Sequence, residues 1–205
     1  MKKNMIEVRI LLIAEYKFNN KTDLLPIFNE GFTYTYKDII EDNITHRLLY
    51  AYTLPESISF AGSLSLIECG YLDASAATKL DATFNNCTNL ERIDFSHAKI
   101  SDNCVISNFL NNCTSLKSIK ISSNSLSVIQ KLISQLPSDN PGTFTVIGAN
   151  SILSELKELS STTNWEIVPI GPKLCELKAG NKSAYIMSGG SKMSCIIVGK
   201  LKFKD

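Results

Sequence analysis

Residues Phe84–Ser96 read FNNCTNLERIDFS, and residues Leu110–Ser122 read LNNCTSLKSIKIS. The second stretch has an apolar residue wherever the first has one, so that the same shift takes Phe84 to Leu110 and Leu90 to Leu116. Internal repetition with a period of about 26 residues is typical of proteins whose units stack on one another. The chain is therefore predicted to contain a short stack of repeats. Because stacked repeats present an extended surface, this organisation favours binding as the function.

The period and the apolar spacing match one kind of repeat. Residues 116–126 fill every inward position of the leucine-rich-repeat pattern L-x-x-L-x-L-x-x-N/C-x-L with a suitable side chain. The first unit is ambiguous, because a step of 26 aligns Ile67 with Ile93, whereas matching Leu72–Ser75 to Ile93–Ser96 needs a step of 21. Residue identity favours the shorter step.

The later units are expected to be longer and to contain helices. Apolar residues over 128–136 have the spacing of one helical face, and Pro137 ends that run. Residues 151–159 have a similar pattern, and short strands are predicted at 143–147 and 165–168. The helices would pack on the convex side of the stack.

The flanks of the repeats read as β structure. Phe32, Tyr34 and Tyr36 alternate with polar residues, as on one face of a strand, and Asp42-Asn43 is a turn signal before a second alternating segment. After Pro169 the residues that separate the apolar runs are mainly Pro, Gly and Ser, and strand-like runs occur at 174–178, 183–187 and 194–203.

Together these patterns predict an α+β protein in three parts. Residues 1–55 would form an N-terminal antiparallel β domain, and residues 56–168 a short leucine-rich-repeat solenoid with helices on the convex side. Residues 169–205 would form a C-terminal β segment that folds alone or pairs with another chain.

Composition excludes several classes of function. The 205 residues carry 21 Lys and Arg against 20 Asp and Glu, and they contain no block of like charge, so neither nucleic acid nor a membrane is an expected partner. The first apolar run is interrupted by Glu7 and Arg9, too early for a secretion signal, so synthesis in a cytoplasm is expected. Six cysteines without a C-x-x-C pair, and only two histidines, argue against a metal site, and no cofactor is predicted.

Few residues of the chain are candidates for a catalytic role. Asn86-Cys87 and Asn112-Cys113 recur in the repeat turns, where a reactive thiol is conceivable, but a structural role in the turn is favoured because each unit needs the same turn. Asp73 and Asp94 also recur, and a hydrolase using one of these carboxylates is a third hypothesis that lacks a convergent acid, base and nucleophile set.

The strand residues between the inward positions must point outward. We predict that they form the partner-binding face: Glu91, Arg92, Asp94, Lys117, Ser118 and Lys120. A plainer interpretation is that such charges only match neighbouring strands, for example Glu91 with Lys117.

The repeat residues resemble a known family. The matching positions are Leu72-Asp73-Ala74-Ser75, Thr78, Leu80, Phe84, Asn86, Cys87, Leu90 and Ile93-Asp94-Phe95-Ser96. They resemble the BspA-like leucine-rich repeats of bacterial surface antigens, which read L-D-x-S-x-x-T-x-L-x-x-x-F-x-x-C-x-x-L-x-x-L-D-x-S. Residues 14–18, 25–36 and Leu54-Pro55 are similar to the leading β domain of repeat proteins carried by bacteriophages and prophages of gut bacteria.

The resemblance implies a non-enzymatic structural or protein-interaction protein. Surface antigens of this family carry a secretion signal and many repeats, whereas assembly into a phage particle inside the host cytoplasm needs no signal. The resemblance therefore favours a virion component of the tail, fibre or capsid that binds other virion proteins or itself. The alternative is an adhesin that binds a host surface protein or glycan.

Overall fold

The computed structural model describes residues 9–19, 23–148 and 152–170, together with the backbone of 173–179 and 182–188. The chain forms mainly strands, in the following order: β1 Leu11–Asn19, β2 Ile27–Phe28, β3 Thr35–Glu41, β4 Ile44–Ala51, β5 Ile58–Ser59, β6 Leu66–Leu72, β7 Arg92–Phe95, β8 Ser118–Ser122, α1 Leu126–Ile133, β9 Thr143–Ile147, α2 Leu153–Leu159, β10 Glu166–Ile170, β11 Lys173–Ala179 and β12 Lys182–Ser188. Both helices are short, with eight and seven residues.

Eight of these strands form one mixed sheet in the order β10-β9-β8-β7-β6-β1-β4-β3. The strands from β6 to β10 are parallel, and β1 pairs antiparallel with both β6 and β4. The predicted fold class is therefore wrong. The chain does not form a leucine-rich-repeat solenoid with helices on its convex side between two β units. The amino-terminal strands extend the same sheet as the repeats, and the connections over 73–91 and 96–117 contain turns instead of helices.

The parallel strands stack their apolar residues in register. Ile93 lies opposite Cys69 on one side and Ile119 on the other, and Phe144 and Ile167 continue the row. The step of 26 predicted between β7 and β8 is confirmed, since Asp94 and Lys120 lie side by side. The step across β6 and β7 is instead 24, as in the pair of Glu68 with Arg92, so neither alternative for the first unit was right.

Phenylalanine rings fill the core beneath the connections. Phe84 packs parallel to Phe60, with 5.6 Å between ring centroids, and edge-on to Phe109 at 5.4 Å. The same segments hydrogen-bond to each other through the backbone, since the Phe84 amide donates to the Phe109 carbonyl and the Phe60 amide to the Thr83 carbonyl. Each unit therefore repeats a turn as well as a strand.

The predicted elements around β9 are present with shifted ends. Strand β9 has the predicted bounds of Thr143–Ile147, and β10 covers most of the run predicted at 165–168. Helix α1 begins after Ser125, whose hydroxyl accepts a hydrogen bond from the Val128 amide, and it ends before the predicted limit at 136. Its apolar face belongs to the same buried core as the sheet.

The amino-terminal hairpin turns at Asp42-Asn43, as the sequence predicts. Both residues have positive φ, 46° and 65°, and the two-residue loop between paired Glu41 and Ile44 is typical of a type I′ turn. The predicted aromatic strand is different, because Tyr36 lies in β3 but Phe32 and Tyr34 precede it. These two rings instead cluster with Phe28, at 4.7 and 4.8 Å.

A buried arginine ties this hairpin to the loop before β2. The Arg47 guanidinium donates two hydrogen bonds of 2.6 Å to the Asp38 carboxylate and one of 2.7 Å to Asp23. It also lies over the Tyr36 ring at 4.0 Å from the centroid. These hydrogen bonds satisfy a charge that the core face of the sheet would otherwise leave unpaired.

The carboxyl-terminal strands form a hairpin. Strand β11 pairs antiparallel with β12 over seven residue pairs and contains the run predicted at 174–178, while β12 contains the run predicted at 183–187. The third predicted run, at 194–203, lies outside the described residues.

Candidate functional site

One side of the sheet belongs to the core, and the other side is lined by polar side chains. In β7 the side chains of Ile93 and Phe95 are buried, and those of Arg92 and Asp94 face the other way. Strand β8 repeats this alternation, with Lys120 on the polar side. We call this surface the open face; its residues are Glu15, Lys17, Glu68, Arg92, Asp94, Ser118, Lys120, Thr143 and Thr145.

The six residues predicted to bind a partner lie at two adjacent strands. Arg92 is paired in register with Ser118, and Asp94 with Lys120. Glu91 and Lys117 come immediately before the two strands. The structure therefore brings the predicted residues together.

Their charges are matched across the strands. The Lys120 ammonium lies 3.2 Å from the Asp94 carboxylate, and the Lys117 ammonium lies 3.7 Å from Glu91. Lys117 and Arg92 nevertheless remain more than half exposed. The surface thus presents opposite charges side by side, and a competing partner could reach them from solvent. Exposed pairs of this kind contribute about 0.2–1 kcal/mol each to stability, so exchanging them for contacts with a partner costs little.

The sequence prediction missed the continuation of this charge row. The Glu68 carboxylate accepts hydrogen bonds from Arg92 at 3.0 Å and from Lys17 at 3.3 Å. Burial by itself would raise the pKa of Glu68, but these hydrogen bonds outweigh it and hold that pKa below its ordinary value. One strand further, the Glu15 carboxylate lies 2.9 Å from the His46 ring. Aligning the sequence with a step of 24, which places Glu68 opposite Arg92, could have revealed the ion pair of these two residues.

The recurring turns have a repeated geometry of their own. Asn86 and Asn112 both adopt a left-handed backbone, with φ of 60° and 59°. The Asn112 side-chain amide donates to the Asn86 side-chain oxygen at 2.6 Å, which links one turn to the next. Left-handed backbone is tolerated better by asparagine than by most residues, so the turn itself favours this residue type.

The cysteines beside these asparagines are buried hydrogen-bond donors. The Cys87 thiol donates to the Phe60 carbonyl at 3.1 Å, and the Cys113 thiol donates to the Phe84 carbonyl at 3.0 Å. Burial raises the pKa of Cys87 to about 11 and that of Cys113 to about 12. Burial also raises the pKa of the Cys69 thiol on β6 well above its ordinary value. A thiol in such surroundings is a poor nucleophile at neutral pH.

We expect Cys69, Cys87 and Cys113 to resist alkylation in the folded protein at pH 8. Their thiolate fractions are so small that modification should be at least about 100-fold slower than after unfolding. The check is iodoacetamide labelling with peptide mass mapping, before and after addition of urea. Because the folded pKa values lie above those of free thiols, the stability that these groups contribute is complete below about pH 8.5 and is lost as the pH rises further. Rapid labelling of Cys87 or Cys113 in the folded chain would contradict the described burial.

The recurring aspartates cap local turns. The Asp73 carboxylate accepts a hydrogen bond from the Ser75 amide, and the Asp94 carboxylate accepts one from the Ser96 amide. This shared turn explains why the sequence aligns Asp73 with Asp94, even though the strands themselves pair at a different step. Both carboxylates are thus engaged by nearby donors.

A cavity of about 610 Å³ lies between the turn over 107–114 and the loop over 134–140. Half of its lining residues are Asn or Ser, and among the lining residues the only titratable side chains are Cys113 and Asp139. Within the described residues, no group of three or more His, Cys, Asp or Glu side chains could hold a metal ion. None of the helices described reaches the length and hydropathy that crossing a membrane requires.

Comparison of the chain with family models, with curated proteins and with solved structures finds no match.

Proposed function

We propose that the protein is a non-enzymatic structural and interaction protein, a component of a bacteriophage particle, and that it contacts another virion protein through the open face. The observation that carries the interaction part is the open face itself. Strands β1, β6, β7, β8 and β9 contribute polar side chains to one surface whose opposite side is the core. The virion part rests on the sequence resemblance to repeat proteins of phages and prophages.

The charges of the open face favour a protein partner. Lys17, Arg92 and Lys120 alternate with Glu68 and Asp94, so the surface offers both ammonium and carboxylate groups. A polyanion such as nucleic acid would meet repulsion from the carboxylates as well as attraction from the cations. A protein surface with its own mixed charges can pair with both, and such complementarity gives specificity.

The first experiment tests the place of the protein in the particle. Particles from an induced culture of the bacterium that carries the gene would be purified on a density gradient and analysed by quantitative mass spectrometry. We expect the protein in a fixed ratio to the major capsid protein. Its absence from purified particles, with expression confirmed in the same lysate, would overturn the virion assignment. Binding to intact host cells would then support the adhesin alternative.

The second experiment tests the open face. The double variant Lys117→Glu and Lys120→Glu changes Lys120, on the open face, and Lys117, immediately before β8. We expect it to bind virion proteins at least about tenfold more weakly than the parent, because both substitutions reverse the charge that a partner meets. Binding would be measured by biolayer interferometry against proteins from disrupted particles. Stability should fall by no more than about 1–2 kcal/mol, since each substitution removes one exposed ion pair and places two carboxylates together.

A matched control has the same change in net charge elsewhere. Lys99 and Lys157 are exposed, and they lie in the connection after β7 and in α2, away from the open face. The double variant Lys99→Glu and Lys157→Glu should bind like the parent. Equal loss in both double variants would show a nonspecific charge effect, and no loss in either would remove the open face as the contact surface.

A further inference from the structure

Strand β3 is a sheet edge with an unpaired outer side in the part of the chain that the structure describes. It pairs with β4 over seven residue pairs in one uninterrupted register. All seven of its residues are exposed, including Ile39 at 42% and Ile40 at 66%. Natural edge strands are commonly blocked by proline, by a bulge, by charged side chains or by being very short. Strand β3 has no proline and no bulge and is seven residues long, and its charged residues are Lys37, Asp38 and Glu41. Its outer backbone groups are therefore available to another strand.

We propose that β3 pairs with the β3 strand of a second copy of this chain, antiparallel and about a two-fold axis, with Ile39 of one copy opposite Ile39 of the other. This contact would join two sheets into one continuous sheet across the dimer. It is distinct from the open face, and it gives the protein a means of self-association that is independent of any virion partner.

The residue pattern of β3 selects this register. A two-fold axis perpendicular to the sheet keeps the open face on the same side in both copies, so each residue lies opposite a residue of the same face. Centring the pair on Lys37 would place two lysines together, and centring it on Asp38 would place two aspartates together. Centring it on Ile39 pairs the two isoleucines and places Lys37 opposite Glu41 twice, which is the favourable arrangement for cross-strand neighbours.

Charge complementarity supports a second copy as the occupant. Neither Lys37 nor Glu41 has an ion-pair partner among the described residues. Asp38, in contrast, is already engaged by Arg47 on the inner side of β3. When β3 of a second copy is related by the two-fold axis, Lys37 of each copy therefore lies opposite Glu41 of the other.

Sedimentation velocity of the full chain is the first measurement. A contact of one strand pair buries less area than a standard stable interface, so we expect a reversible dimer that forms over roughly 1–200 µM. The apparent mass should rise from 22.7 kDa toward twice that value as the concentration increases. A chain that stays monomeric over this range would overturn the proposal.

Charge reversal then tests the register. Lys37→Glu alone and Glu41→Lys alone should each be monomeric, because each places like charges opposite each other at both ends of the pair. An equimolar mixture of the two single variants should dimerise, because every opposing pair in the mixed dimer has opposite charges. The double variant Lys37→Glu with Glu41→Lys should also recover the dimer. Circular dichroism below the concentration at which the parent dimerises should give both single variants about the thermal midpoint of the parent, since both positions are exposed.

The other outcomes identify other occupants. A dimer that persists unchanged in both single variants would place self-association on another surface and overturn the β3 contact. Loss of the dimer in the single variants without recovery in the mixture would overturn the register centred on Ile39.

Discussion

Replacing Phe84 by alanine is expected to lower the free energy of unfolding by about 3–5 kcal/mol, the loss typical of a buried phenylalanine. The Phe84 side chain is fully buried and its ring contacts those of Phe60, Phe95 and Phe109, which come from three different segments. Removing it leaves a cavity at the centre of the stacked connections. Urea unfolding followed by circular dichroism would measure the change.

Leu64→Ala is the matched control for this prediction. Leu64 lies just before β6 and is 63% exposed, so its truncation should cost less than about 0.5 kcal/mol. A loss below about 1 kcal/mol for Phe84→Ala would mean that the phenylalanine row is not the core of the connections.

The second large effect is expected from Asp38→Asn, which should destabilise the chain by about 3 kcal/mol. The Arg47 side chain is only 4% exposed, and Asp38 provides the carboxylate that receives two of its hydrogen bonds. Neutralising that carboxylate leaves a buried guanidinium without its main counter-charge, and breaking a buried pair in this way costs several kcal/mol. The free energy of unfolding in urea at pH 7 is the measurement.

The same network supplies the control. Asp23 also binds Arg47, at 2.7 Å, but its side chain is 63% exposed. Asp23→Asn should therefore cost about 1 kcal/mol or less, as exposed pairs do. Equal losses for the two aspartate variants would contradict the role of Asp38 as the main counter-charge of Arg47.

The sequence predicted the local elements of the repeats well because their signals are local. The alternation of Ile93 and Phe95 with Arg92 and Asp94 shows which side of β7 is buried, and the repeated Asn-Asn-Cys-Thr shows where each turn lies. The step between the two clearest units is also readable from residue identity. These signals are enough to place four of the six predicted binding residues on adjacent strands and the other two, Glu91 and Lys117, immediately before them.

The continuity of the sheet was not predictable in the same way. Strand β1 pairs with β6 across a long stretch of intervening chain, and its register shifts twice along that pairing. No periodicity in the sequence specifies such a partner, and the ion pair of Glu68 with Lys17 depends on it. The step across β6 and β7 was missed because the sequence alignment matched the similar turns at Asp73 and Asp94, which needs a step of 21. The strands instead pair Glu68 with Arg92, a step of 24.

Strand β1 ends the parallel part of the sheet, because it pairs with β6 in the antiparallel direction. By occupying the edge of β6 that faces away from β7, it ends backbone pairing between repeats on that side. A gene duplication that copied one whole repeat could lengthen the protein between β7 and β8 while the amino-terminal hairpin stayed in place. The architecture therefore permits growth by whole units in the interior, with the hairpin acting as a fixed terminus.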